Sequence, residues 1–175
     1  MASAEPARPD IFLPGGQPRS ECLTDAAAQV LGEAVRLARE TNWESVRSPH
    51  LFMGLLSVPD AGVQMWGDRL GADLAKLLGQ FQELFHQEEG EPEAVLAMTR
   101  EFFSDNVIRL LREAFHRAAD HRRRVTPFDV LICLFTTPKS IVADCFEQLG
   151  FTAAKLTELA VIAEQQCSAR SRSAS

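Results

Sequence analysis

Three sets of side chains in this sequence have types and spacings that could do chemistry or hold a ligand. Thr24 and Ser104 are each followed by an acid and then by an apolar periodic run, which puts a hydroxyl at a helix N-terminus. Backbone N–H groups there favour an anion, although a plain helix cap needs the same hydroxyl in the same place. His116, Asp120 and His121 lie close together, with His116 and Asp120 able to meet across one helical turn. As a metal or acid–base site they would make a small metal-dependent hydrolase, but no third ligand at metal spacing accompanies them. Arg122-Arg123-Arg124, with Arg112 and Arg117 ahead of them, make the chain locally basic. That stretch could meet a partner protein or, in a nucleic-acid-binding regulator, phosphates; it also stands where cations complement the end of a helix.

No linear motif joins these groups into a catalytic set. The chain has no G-x-S-x-G, no H-E-x-x-H and no His beside a Cys, and it lacks the G-x-x-x-x-G-K-[ST] phosphate loop. No catalytic residue, metal or cofactor is therefore expected. His50 suits a structural hydrogen bond at a helix start. Cys22, Cys133, Cys145 and Cys167 have no C-x-x-C spacing, and reduced, buried thiols are expected. The net charge of -6 argues against a protein whose main task is covering nucleic-acid phosphates. Met1 to Arg19 carries four prolines and no continuous apolar core, and no run approaches the roughly 20 apolar residues of a membrane span. A cytoplasmic protein that is monomeric as an isolated domain, with no membrane or nucleic-acid partner, is the expectation.

The elements that must position these residues come in duplicate. At 175 residues and 46% hydrophobic, without Tyr and rich in Ala, Leu and Glu, the chain reads as all-α. Leu70-Gly71-Ala72-Asp73-Leu74-Ala75-Lys76-Leu77 returns as Leu149-Gly150-Phe151-Thr152-Ala153-Ala154-Lys155-Leu156, a helix-stop Gly followed by a capping residue and a new apolar run. Leu23-Thr24-Asp25 returns as Phe103-Ser104-Asp105, and the apolar face Ala27, Val30, Leu31, Ala34, Ala38 as Val107, Leu110, Leu111, Ala114, Ala118. Ser48-Pro49, read as a cap followed by Pro at the first helical position, is echoed by Thr126-Pro127. Each pair precedes a helix that is apolar all round, Leu51 to Leu56 and Val130 to Phe135.

The pattern predicts eight helices as two homologous four-helix repeats related by a pseudo-two-fold axis, within a double-repeat domain over 22–166. Repeat one spans 23–85 and repeat two 103–166, joined by an acidic linker over 86–102. A leader over 1–21 and a polar tail over 167–175 are expected to be disordered. Trp66 is expected in the core, with Trp43 either packed or exposed at a binding surface.

Taken together, Leu-Thr at the start of the repeat, Ser48-Pro49-His50-Leu51 before the apolar helix and Leu-Gly-x-x-x-x-Lys-Leu at the last corner resemble the double repeat of the Clp N-terminal domain of Clp/Hsp100 AAA+ unfoldases. The resemblance covers residues 23 to about 165. It implies a non-catalytic domain whose partners are a Clp/Hsp100 ATPase, its adaptors or its substrate proteins, either at the front of the ATPase or as a free-standing regulator. In the subgroup that recognises phosphorylated arginine, it also implies that the hydroxyls opening the repeats hold the phosphate and that an acid before each second helix grips the guanidinium. Thr24 and Ser104 keep the hydroxyls, whereas Pro49 and Phe128 stand where the acids would be, which argues against phosphoarginine. Arg122, Arg123 and Arg124 complete the candidate partner-binding residues.

Overall fold

The computed structural model describes residues 10–41, 43–85, 99–138 and 140–173. Among them are eight α-helices: α1 (Asp25–Glu40), α2 (Ser48–Ser57), α3 (Ala61–Leu70), α4 (Leu74–Leu84), α5 (Asp105–Asp120), α6 (Pro127–Thr136), α7 (Ile141–Gln148) and α8 (Ala153–Ser173). Short 3-10 turns, Ser20–Cys22 and Arg100–Phe102, lead into α1 and α5, and no strand longer than an isolated bridge is present among the described residues. No helix there is long and apolar enough to cross a membrane.

The duplicated signals became duplicated structure. Thr24 Oγ1 accepts from the Ala27 N–H at 3.2 Å and Ser104 Oγ from the Val107 N–H at 3.3 Å, so both open their helices as caps. Gly71 and Gly150 stop the helices before the last corners with φ of 75° and 94°, the left-handed region that only Gly adopts without steric cost. Asp73 and Thr152 then cap α4 and α8.

One register differs from the expectation. Ser48 is the first residue of α2 and Arg47 its cap, because the Arg47 N–H is taken by His50 Nδ1 at 2.9 Å. In α6 the Thr126 N–H is taken in the same way by Asp129 Oδ2 at 2.8 Å. Arg47 rather than Ser48 therefore corresponds to Thr126, in keeping with the equivalence of Pro49 to Phe128 and of His50 to Asp129.

Both ends of the domain also extend past their expected limits. Within the leader, Ile11 and Phe12 are buried and the Phe12 ring meets Phe103 at 6.1 Å. The prolines and glycines read as breakers instead build a tight turn, with Phe12 bridged to Pro18. The tail read as frayed continues α8 to Ser173, and Cys167 still packs on the core. Most of the acidic linker, 86–98, lies outside the described residues.

The repeats are laced together at their starts. Leu23 bridges Val125 and Phe103 bridges Val46, so each repeat's first segment pairs with the strand-like lead-in to the other's second helix. The bonds are reciprocal: the N–H of Thr24 donates to Val125 O at 3.0 Å, and that of Ser104 to Val46 O at 2.9 Å. Between the repeats, Phe52, Trp66 and Phe81 interlock with Phe135 and Phe146 at centroid distances of 5.6 to 6.4 Å. Trp66 is fully buried, as expected, and its Nε1 donates to Leu156 O across the repeats.

Gly62 of α3 lies against the Phe128 ring of α6, and a Cβ at that position would come 2.1 Å from a ring carbon. An aromatic ring in a packed core cannot yield that distance by a rotamer change, so Gly62→Ala should overpack the contact between repeats and lower stability by about 1–3 kcal/mol. The fall is to be read as a lower denaturation midpoint in urea with the helical circular dichroism of the native state retained.

Candidate functional site

The most polar interior of the protein lies where α5, α6 and α8 meet. Asp129, the third residue of α6, has no exposed surface. Its Oδ1 accepts from Arg117 Nη1 at 2.6 Å and Arg123 Nη2 at 2.8 Å. Its Oδ2 accepts from Arg123 Nη1 and from the Thr126 N–H and Oγ1. Both arginines also reach Glu164 of α8, Arg117 through two nitrogens at 2.8 and 2.7 Å and Arg123 at 3.3 Å. Two cations and two anions thus close a neutral, forked network. It forms the wall of a cleft of about 430 Å3 between α5 and α8 that also exposes His121, Gln165 and Ser168.

Burial alone would push the Asp129 carboxyl up, but hydrogen bonds from Arg123, Thr126 and Arg117 outweigh it and hold the group below its ordinary value. Glu164, ahead of the cost of burial and the further bond to Asp129, keeps Arg117 firmly protonated. The arrangement ties three helices together and leaves a largely buried carboxylate, Glu164, in front of two guanidinium groups.

Repeat one fills the equivalent corner without charge pairs. His50 stands where Asp129 stands, fully buried, its ring edge-on to Trp43 at 5.3 Å. Trp43 is half-buried, its Nε1 donates to Phe85 O at 2.5 Å, and Phe85 is the counterpart of Glu164. Arg117, finally, occupies the position that Leu37 holds on the buried face of α1. His50 Nδ1 accepts from Arg47 and its Nε2 has no hydrogen-bond partner among the described residues. Burial, and secondarily the Arg47 charge, push its pKa down to about 4.

The residues singled out by sequence do not gather at one place. Thr24 and Ser104 are half-exposed caps, each tied by its own N–H to the other repeat. Pro49 is buried; Phe128 is buried against Gly62 and borders a small cleft of about 200 Å3 with Arg123, Thr126, Glu164, Cys167 and Ser168. The basic triplet splits: Arg122 is exposed with φ of 53°, Arg123 turns into the ion network, and Arg124 donates to Leu23 O at 3.4 Å. His121 Nδ1 lies 2.9 Å from Arg117 O, whereas His116 lines a different cleft. No three His, Cys, Asp or Glu side chains are gathered as metal ligands among the described residues. All four cysteines are free thiols, Cys133 buried and the others half-buried, and burial pushes Cys133 up to about 12. The ion network escaped sequence reading because Glu164 is 41 and 47 positions from its arginines. Its one legible sign was Arg117 interrupting an apolar face.

This architecture defines an all-helical double repeat with interlocked halves, and solved structures share it. The N-terminal domain of the caseinolytic-protease-associated chaperone ClpD from Arabidopsis thaliana is 17% identical, covering 83% of this chain and 96% of that one with a TM-score of 0.63. The Hsp104 N-terminal domain from Candida albicans is 14% identical, covering 81% and 90%, with a TM-score of 0.66. No family model matches the sequence, and no curated protein matches it. The likeness is one of fold, and it is the fold of Clp/Hsp100 N-terminal domains.

Stability should fall with acid in two stages. His50 is neutral when folded down to about pH 4 but takes a proton near pH 6.5 when unfolded, so its contribution is lost as pH falls from about 6.5 towards 4. Asp129 has a folded pKa below its unfolded value of about 3.9, so its contribution is present above that pH and is lost as pH falls below it. Urea melts against pH should show His50→Asn flattening only the upper stage. Asp129→Asn, which leaves two arginines sharing the one carboxylate of Glu164, should cost about 3 kcal/mol at pH 7 and flatten only the lower stage.

Proposed function

We propose that this chain is a non-catalytic protein-binding domain that docks substrate or adaptor proteins onto a Clp/Hsp100 AAA+ machine. The observation that carries the reading is the overlap of more than four-fifths of the chain with the N-terminal domains of ClpD and Hsp104. Both are N-terminal domains, one of them that of a chaperone described as caseinolytic-protease-associated.

The surface supports a docking role. Leu84 and Leu149, at the ends of α4 and α7, are 65% and 63% exposed. In repeat one a cleft of about 500 Å3 is floored by apolar side chains of α2, α3 and α4, among them Leu55, Leu56, Val63, Leu74 and Leu78. Of the residues chosen from sequence, the exposed Arg122 and Arg124 and the half-exposed Thr24 and Ser104 are the proposed partner contacts. Pro49 and Phe128 act through packing.

Immobilised protein exposed to lysate of its own host should retain a Clp-type ATPase, an adaptor of one, or tagged and unfolded clients, identified by mass spectrometry. Arg122→Glu with Arg124→Glu should reduce that retention about tenfold without lowering the thermal midpoint. Retention of none of these classes would overturn the reading.

A further inference from the structure

Asp10-Ile11-Phe12 lies against α5 and the turn before it in the manner of a bound peptide. Ile11 has no exposed surface. The Asp10 carboxylate accepts from Arg112 Nε and Nη2 at 3.2 and 3.0 Å, and the Arg112 guanidinium lies 5.8 Å from the centre of the Phe12 ring. That ring in turn packs on Phe103.

The arm's own hydrogen bonds are mostly internal. Leu13 and Gln17, Gly16 and Leu13, and Arg19 and Ile11 pair at 2.7 to 2.8 Å, which makes a closed hairpin. Its backbone bond to the turn before α5 is from the Arg100 N–H to Gly16 O at 2.7 Å. A segment bonded in this way can lift as a unit at the cost of a single backbone pair, that of Arg100 with Gly16.

The seat belongs to repeat two alone. Repeat one has Gly32 where Arg112 stands and Leu23 where Phe103 stands, so it offers neither the guanidinium nor the ring. Beyond the arm the seat continues along α5 as an open cleft of about 590 Å3, reached by Arg100, Arg109, Arg112 and His116 together with Asp105 and Glu113. In a chain of net charge -6, a groove with three arginines facing two acids favours an acidic ligand.

We propose that this seat is a docking site for a partner-protein segment in which an acidic residue precedes an aliphatic and then an aromatic one, and that the arm is its resident occupant, displaced when the partner binds. The site stands whether or not the partner belongs to an unfoldase machine.

The test uses the full chain carrying Ile11→Ser and Phe12→Ser, which frees the arm, and a fluorescent synthetic peptide with the sequence of residues 10–20. Fluorescence anisotropy should show the variant binding the peptide about tenfold or more tighter than the unaltered chain, with Arg112→Glu in the same background abolishing binding. A folded variant that binds no peptide would overturn the proposal. Should the variant not fold, hydrogen exchange on the unaltered chain decides: the Arg19 amide, bonded to Ile11 O, should exchange about a hundredfold faster than the amides of mid-α5. Equal protection would make the arm part of the core and end the proposal. A dimer of the unaltered chain that Phe12→Ser dissolves would assign the seat to a second copy and overturn it as well.

Discussion

Neither α2 nor α6 has a polar face, and the protein is arranged around that constraint. A helix buried on every side needs neighbours on every side, and one four-helix repeat of about 60 residues cannot supply them. The solution is to place the two helices against each other and ring them with aromatics from both repeats. Phe52 of α2 touches Trp66 and Phe81 from its own half and Phe135 and Phe146 from the other. The reciprocal bridges at Leu23–Val125 and Phe103–Val46 follow from the same need. Each repeat's first segment covers the lead-in to its partner's buried helix and satisfies backbone groups that would otherwise be stranded beside an apolar core.

Equivalent corners of this shared core are closed by opposite chemistry. His50, Trp43 and the Phe85 carbonyl make one neutral corner; Asp129, Arg117, Arg123 and Glu164 make the other. A buried ion set is no more stabilising than good apolar packing of the same volume, yet removing any one member leaves a charge uncompensated at a cost of several kcal/mol. The repeats therefore could not have diverged here one residue at a time without a penalty. What the ionic corner supplies is direction: forked guanidinium groups hold α5, α6 and α8 in one orientation, where an apolar contact would allow sliding.

Much of the fold was legible because its signals are local. Caps at Thr24, Ser104, Asp73 and Thr152, stops at Gly71 and Gly150, and three- and four-residue apolar spacing each depend on residues within one or two turns. The cap of α2 was placed one residue late, at Ser48, because Arg47 is not a usual cap residue and its N–H is taken by His50 instead. The arm was missed because its prolines and glycines were read for what they prevent, a helix, and not for the turn they permit. Ile11-Phe12 was the available sign, an apolar pair with no reason to be in solvent. At the site, Arg123 read as one of three surface cations because no sequence spacing relates it to Glu164.

Duplication gives two equivalent outer helices, and their sequences decide what each half presents. On α1, Arg36 is held by Glu33 and Glu40 on its own helix, so its charge is spent locally. At the matching places α5 has His116, Glu113 and Asp120, while Arg109 and Arg112 replace Gln29 and Gly32. The positive charge has moved towards the start of the helix, where Arg112 faces the arm instead of a neighbour one turn away. The clefts follow suit, apolar between α2, α3 and α4 of repeat one and arginine-lined on both sides of α5 in repeat two. A ligand suited to one half is mismatched to the other, so a scaffold built from two alike parts presents two unlike surfaces, each answerable to its own partner chemistry.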